Sequence, residues 1–233
     1  MVASKPRILV VLTSADKVPT SGKPIGWYLS ELAHPFHILH DKADFMFASP
    51  KGGEAPLDQV SVEMSMDDPV CKKFLENHSS TWKETQRLSV VAGRTSEFDA
   101  VFYPGGHGPM FDLVSDPHSL RILRELHAEN KVIAALCHGP AALVNAKTAD
   151  GEYIIQGRRV TGFDDVGEEM FGYDKDVAFS LQGLLNERSG GKYVKADDGP
   201  LGKKVVVDGN VITGQNPASA YDVGHELAKA LGI

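Results

Sequence analysis

Cysteine is nearly absent: the 233-residue chain holds only Cys71 and Cys137. Two are too few for a disulfide framework and point to a reducing compartment. Positive charge is also short. Lys and Arg number 24 against 31 Asp and Glu, a formal net charge of −7. That deficit argues against nucleic acid as the main partner and against a membrane surface. No apolar run reaches the ~20 residues of a membrane-spanning helix. The short segment Met1–Arg7 shows no hydrophobic leader with a cleavage site. A cytoplasmic protein is expected, with the nucleus also open to a chain of this size. No G-x-G-x-x-G follows the first strand and no Gly-Lys-Ser/Thr occurs. Neither a dinucleotide fingerprint nor a phosphate loop is therefore present.

What the chain has is enough apolar residue, 42 %, to bury a full core. Its length suits one α/β domain over residues 1–233. Ile8–Thr13 reads as an inner parallel strand, and Asp44–Ser49 as a second. Between them a helix is expected over Pro24–Ala33, ended by His34-Pro35. Residues 50–96 are irregular, with helices near Pro69–His78 and Thr81–Leu88, and read as a helical elaboration or cap. Phe98–Tyr103 is the next strand. Ser115-Asp116-Pro117 opens a helix with a cap and Pro at its first position. Further on come a buried strand at 131–136, a helix start at Ala141–Val144 and a short strand at Arg159–Thr161. Helices at Asp164–Phe171 and Phe179–Glu187 follow. A hairpin joins Lys203–Val207 to Val211–Thr213 through Asp208-Gly209-Asn210. Asn216-Pro217 opens the last helix. Alternating strands and helices make a mostly parallel sheet covered on both sides.

The chemistry gathers at Leu136-Cys137-His138-Gly139-Pro140. A cysteine at a sharp strand-to-helix turn is a nucleophile elbow, and a following helix favours its thiolate. The bland alternative is a buried structural cysteine. A second loop, Pro104-Gly105-Gly106-His107-Gly108, ends the preceding strand. Its glycines, Gly105 and Gly106, offer bare N–H groups for substrate or an oxyanion. A Cys–His pair needs a third group to orient the imidazole. Asp164, Asp165, Glu168 and Glu169 are the candidates, and the pattern does not choose among them. Glu31 falls off the apolar stripe of its helix and reads as a solvated residue. His34, His37 and His40 recur every third residue, but Pro35 interrupts them. No neighbouring carboxylate or cysteine completes a tetrahedral set, so no metal site is expected. Cys71 reads as structural or incidental.

Six stretches, in order, resemble one family: Thr13-Ser14, Glu31–Phe36, Gly105–Gly108, Ala135–Pro140, Thr161–Glu168 and Thr213–Ser219. The chain resembles the ThiJ/PfpI superfamily, and within it the fungal heat-inducible, glutathione-independent glyoxalases. The resemblance implies a flavodoxin-like α/β sandwich. It implies a Cys137–His138–Glu168 triad, with a protonated Glu31 against the Cys137 thiol. It also implies a small dicarbonyl substrate (methylglyoxal), lactate as product, no cofactor and a homodimer. Members of the branch are both enzymes and stress chaperones. Leu136 and the loop Asp16–Pro24 depart from the branch pattern, which bears on pocket size. A peptidase or deglycase would use the same Cys–His pair. A glutamine amidotransferase would need a His-x-Glu pair near the C-terminus, and His225-Glu226 does not supply it. A holdase chaperone would need no Cys137, and a redox sensor would need only the thiol.

Overall fold

The computed structural model describes residues 4–233. Residues 1–3, the start of the segment ahead of the first strand, lie outside them. The strands are β1 (Arg7–Val11), β2 (Asp44–Ser49), β3 (Gln86–Arg87), β4 (Ala100–Tyr103), β5 (Val132–Leu136), β6 (Val205–Asp208) and β7 (Val211–Gly214). The helices are α1 (Leu29–Leu39), α2 (Gln59–Met64), α3 (Pro69–Asn77), α4 (Ser80–Lys83), α5 (Leu88–Val91), α6 (Pro117–Ala128), α7 (Asp165–Phe171), α8 (Leu181–Arg188) and α9 (Ala220–Leu231).

The strands form one sheet in the order β3-β2-β1-β4-β5-β7-β6. All pairings are parallel except β6 with β7, the expected hairpin. Ile8 to Val11 are all fully buried. Side chains alternate along a strand, so both faces of the sheet are covered. α1 and α9 pack on each other. The connection through α6 runs the opposite way along the sheet, and right-handed crossover puts it on the other face. The order reverses between β1 and β4, where open α/β sheets carry their sites, outside the carboxyl ends of the strands. This is the flavodoxin-like sandwich expected from the sequence. Among the described residues no helix is long and apolar enough to cross a membrane.

Four local expectations are corrected. The first helix starts later, at Leu29, and runs through Pro35 to Leu39. Residues before it are extended instead: Ile25 N–H donates to Asp16, and Trp27 bridges to Leu57. Pro35 is tolerated because α9 presents a glycine to it. A Cβ on Gly224 would stand 2.9 Å from Pro35 Cα, so the helices meet closely and hold the turn in place. The single helix expected over 81–88 is divided into α4, β3 and α5. Thr85 exchanges backbone bonds with Gly53 and its hydroxyl pairs with Ser49, drawing β3 onto the sheet edge. Arg159–Thr161 is no strand beyond one bridge from Val160 to Tyr193. The Thr161 N–H is taken by the Thr213 side chain instead of a ladder carbonyl. After the elbow the chain makes only a 3-10 turn, Gly139–Ala142, not an α-helix.

Candidate active site

β4 and β5 lie side by side in register, Tyr103 opposite Ala135. The two loops that leave their carboxyl ends therefore meet. Cys137 is the first residue past β5 and has φ +61°. A left-handed conformation is costly for a side chain with a Cβ. It is enforced from both sides: Cys137 N–H donates to Gly214 at 2.9 Å, and Phe163 N–H donates to the Cys137 carbonyl at 2.8 Å. The elbow expected from the sequence is present, with Cys137 3 % exposed.

His138 joins two partners through its two nitrogens. Nδ1 lies 3.3 Å from Cys137 Sγ. Nε2 lies 2.6 Å from Glu168 Oε1. Of the four acids left open by the pattern, the fold brings Glu168 to the imidazole. Asp164 caps α7 by accepting from Gly167. Asp165 accepts from Ser180. The other oxygen of Glu168 meets His107 Nε2 at 3.1 Å. Burial opposes the charge on Glu168, but His138 and His107 outweigh it and hold the carboxyl well below the usual range. The arrangement selects one tautomer: Nε2–H donates to the carboxylate and Nδ1 is left to accept from the thiol.

Glu31 sits in the first turn of α1 and is fully buried. The solvated reading from helical period is corrected here, because α1 begins under the Gly-rich loop and every residue from Leu29 to Phe36 is buried. Oε2 accepts from Gly105 N–H at 2.7 Å. Oε1 is buried with no hydrogen-bond partner among the described residues. Burial raises the Glu31 pKa to about 8, against the Cys137 thiol and Gly105 N–H, which both lower it. At neutral pH the carboxyl is therefore mostly protonated, close to the Cys137 thiol.

Burial first, then the Glu31 and Glu168 carboxyls, push the Cys137 thiol well above its ordinary value. The expectation of a standing thiolate under a helix field is thus corrected: the turn is 3-10 and the sulfur is enclosed. The thiol becomes nucleophilic by giving its proton to His138. Gly105 is corrected as an oxyanion donor, because its N–H is engaged by Glu31. Gly106 lines the cavity, with φ +84° that a side chain would strain.

The cavity over Cys137 measures about 220 Å³. Tyr28, Asp58, His107, Phe163 and Tyr173 line it, and the exposed side chains of Met64, Phe171 and Leu201 rim it. His107 stacks on Tyr173 with ring centres 3.8 Å apart. Neither His107 nor Tyr173 was picked out by sequence reasoning, although His107 lies inside the Gly-rich motif. Two sets of side chains bring three metal-ligand atoms within 4.8 Å of one another: His107–His138–Glu168, and His34–Asp68–Cys71. The second places a carboxylate and a cysteine beside His34, which the spacing of His34, His37 and His40 did not show.

Comparison with known proteins agrees with this geometry. The glutathione-independent glyoxalase HSP31 of Saccharomyces cerevisiae is 30 % identical over 237 residues, 97 % of this chain and 98 % of that one. The crystal structure of glyoxalase III from Candida albicans superposes with TM-score 0.86 at 28 % identity, covering 97 % of each chain. The Rapid Encystment Protein of Francisella tularensis superposes with TM-score 0.90 at 36 % identity, covering 97 % of this chain and 99 % of that one. Residues 51–230 match the DJ-1/PfpI family. The chain belongs to the DJ-1/PfpI family, the group its motifs resemble.

Proposed function

We propose that this protein is a glutathione-independent glyoxalase that converts methylglyoxal and water to lactate. The observation that carries the reading is the continuous chain from sulfur to imidazole to carboxylate, 3.3 Å and 2.6 Å long, facing the cavity. Relatives bearing that name align over nearly the whole length.

Cys137 Sγ attacks the aldehyde carbon while its proton passes to His138 Nδ1. The backbone N–H groups of Gly106 and His138 face the developing oxyanion, and His138 returns the proton to it, giving a neutral hemithioacetal. The neutral imidazole then takes the hydrogen from that carbon as a proton and passes it to the ketone oxygen, giving an enediol, and carries the proton of the former aldehyde hydroxyl to the former ketone carbon. The product of this internal redox step is a lactoyl thioester on Cys137. Water hydrolyses it, releasing lactate and the free thiol. Glu168 stabilises the imidazolium at each proton transfer. Glu31, protonated, hydrogen-bonds the sulfur while it carries negative charge.

The reading includes a homodimer, checked by light scattering at twice the 25.2 kDa of one chain. It includes a cytoplasmic setting, supported by two cysteines that are both free. The test of the activity is lactate formation from methylglyoxal in glutathione-free buffer, repeated in heavy water. Deuterium on the middle carbon of lactate is expected. Lactate without it means that the proton is returned without solvent exchange or that a hydride moves, and no lactate would remove the reading.

A further inference from the structure

A second set of donors meets where α3 docks on α1, away from the catalytic centre. His34 Nε2 lies 2.6 Å from Asp68 Oδ2 and 3.8 Å from Cys71 Sγ. The α3 cap explains how they converge. Asp68 Oδ1 accepts from the Val70 and Cys71 N–H groups at 2.8 and 3.3 Å. That leaves Oδ2 turned toward His34, and it places Cys71 on the same first turn.

This is not a second nucleophilic dyad. In the catalytic centre the thiol and the carboxylate use different imidazole nitrogens. Here both approach Nε2, and Nδ1 is buried with no partner among the described residues. Asp68 already engages Nε2, so no free imidazole nitrogen faces the Cys71 thiol as a base. One nitrogen, one oxygen and one sulfur aimed at a common point instead match a mixed coordination set.

We propose that His34, Asp68 and Cys71 bind a divalent zinc-type ion, with water in the fourth position. Bond lengths of about 2.0–2.3 Å put tetrahedral ligand atoms about 3.3–3.7 Å apart. The sulfur–nitrogen separation of 3.8 Å already fits. The nitrogen–oxygen pair must open by less than an ångström from hydrogen-bond distance. Asp68 can move that far, because its side chain is 28 % exposed, and the same face gives the ion a way in. Binding removes the Cys71 thiol proton to solvent and shifts the His34 proton from Nε2 to Nδ1. One proton is released per ion, and no electron changes hands. The tautomer shift breaks no bond at Nδ1, which makes none. The ring keeps its stack on Tyr221, with centres 4.0 Å apart.

The ion would clamp residues 50–96 onto α1. That segment supplies Asp58, Val60 and Met64 to the cavity wall, so the site would hold one side of the pocket without touching substrate.

The test uses the full chain carrying Cys137→Ser, which leaves Cys71 as the sole thiol. Metal-free protein is titrated with Co²⁺ alone and read by absorption. One equivalent is expected to bind with a thiolate-to-cobalt charge-transfer band, four-coordinate ligand-field bands and release of one proton. Adding Cys71→Ser, or Cys71→Ala if Ser is not tolerated, should abolish the band. It should also weaken binding by more than about tenfold. Asp68→Asn, which keeps a capping oxygen, should weaken it likewise. Circular dichroism without metal confirms that each variant is folded. A folded Cys137→Ser protein with no thiolate band would overturn the proposal. So would a band given by wild-type protein titrated alongside and kept when that protein carries Cys71→Ser, since that would put the metal on Cys137.

Discussion

The Gly105 N–H donates to Glu31 Oε2 at 2.7 Å, and the Gly105 carbonyl accepts from Tyr28 N–H at 3.1 Å. This reciprocal pair ties the loop after β4 to the first turn of α1. It fixes a buried carboxyl beside a buried thiol. It also engages the N–H that Gly105 would otherwise offer to substrate, while Gly106 of the same loop lines the cavity.

Glu31→Gln should keep a donor toward sulfur and remove the titration. The native carboxyl has its pKa raised to about 8 in the folded state. The folded protein therefore binds the extra proton between the ordinary carboxylate pKa and about 8. The stability that this proton contributes is complete below the unfolded value and is lost as pH rises through about 8. Glu31→Gln should stabilise the protein at pH 7 by about 3 kcal/mol, and more at pH 9. The alkaline fall in kcat should flatten as well. Urea unfolding from pH 5 to 9 reads the first effect and a rate profile the second. A variant whose stability follows the native pH dependence would contradict a buried, protonated Glu31.

Glu168→Ala should lower kcat by about 10²- to 10⁴-fold, with a smaller effect on KM. Without the carboxylate, the imidazole loses both its tautomer and the partner for its charge. His107→Ala should cost less, because it leaves the bond between Glu168 and His138 in place. Initial rates for both variants give the order, and a larger loss for His107→Ala would assign His107 the base role instead.

Gly105→Ala should separate scaffold from chemistry. Its Cβ would stand 2.7 Å from Glu31 Oε2, His138 N and Leu136 O. Two of these are backbone atoms that cannot swing away. A loss of about 1–3 kcal/mol is expected from overpacking, together with a fall in kcat as Glu31 is displaced. Melting temperature and kcat on one preparation check both. An active variant of native stability would show that the loop is free to shift.

The doubly wound sheet was legible because buried parallel strands such as Ile8–Val11 and Val132–Leu136 read as apolar runs bounded by turn residues. The elbow was legible because Cys137 ends such a run abruptly. Glu31 was misread by periodicity, since a stripe argument assumes one solvated helix face and α1 starts where loops cover it. Its placement came only from the resemblance of Glu31–Phe36 to known sequences. Pro35 misled for a related reason: the local rule ends a helix there, but packing on Gly224 carries it onward. Asp68 and Cys71 showed no link to His34 because the contact spans 34 and 37 residues and depends on how α3 docks.

The most direct check is lactate formation from methylglyoxal by the wild-type protein and by Cys137→Ala, side by side, without glutathione and with chirality-specific detection. Turnover by the wild type and none by the variant is expected. Undiminished lactate from Cys137→Ala would contradict the account at its centre.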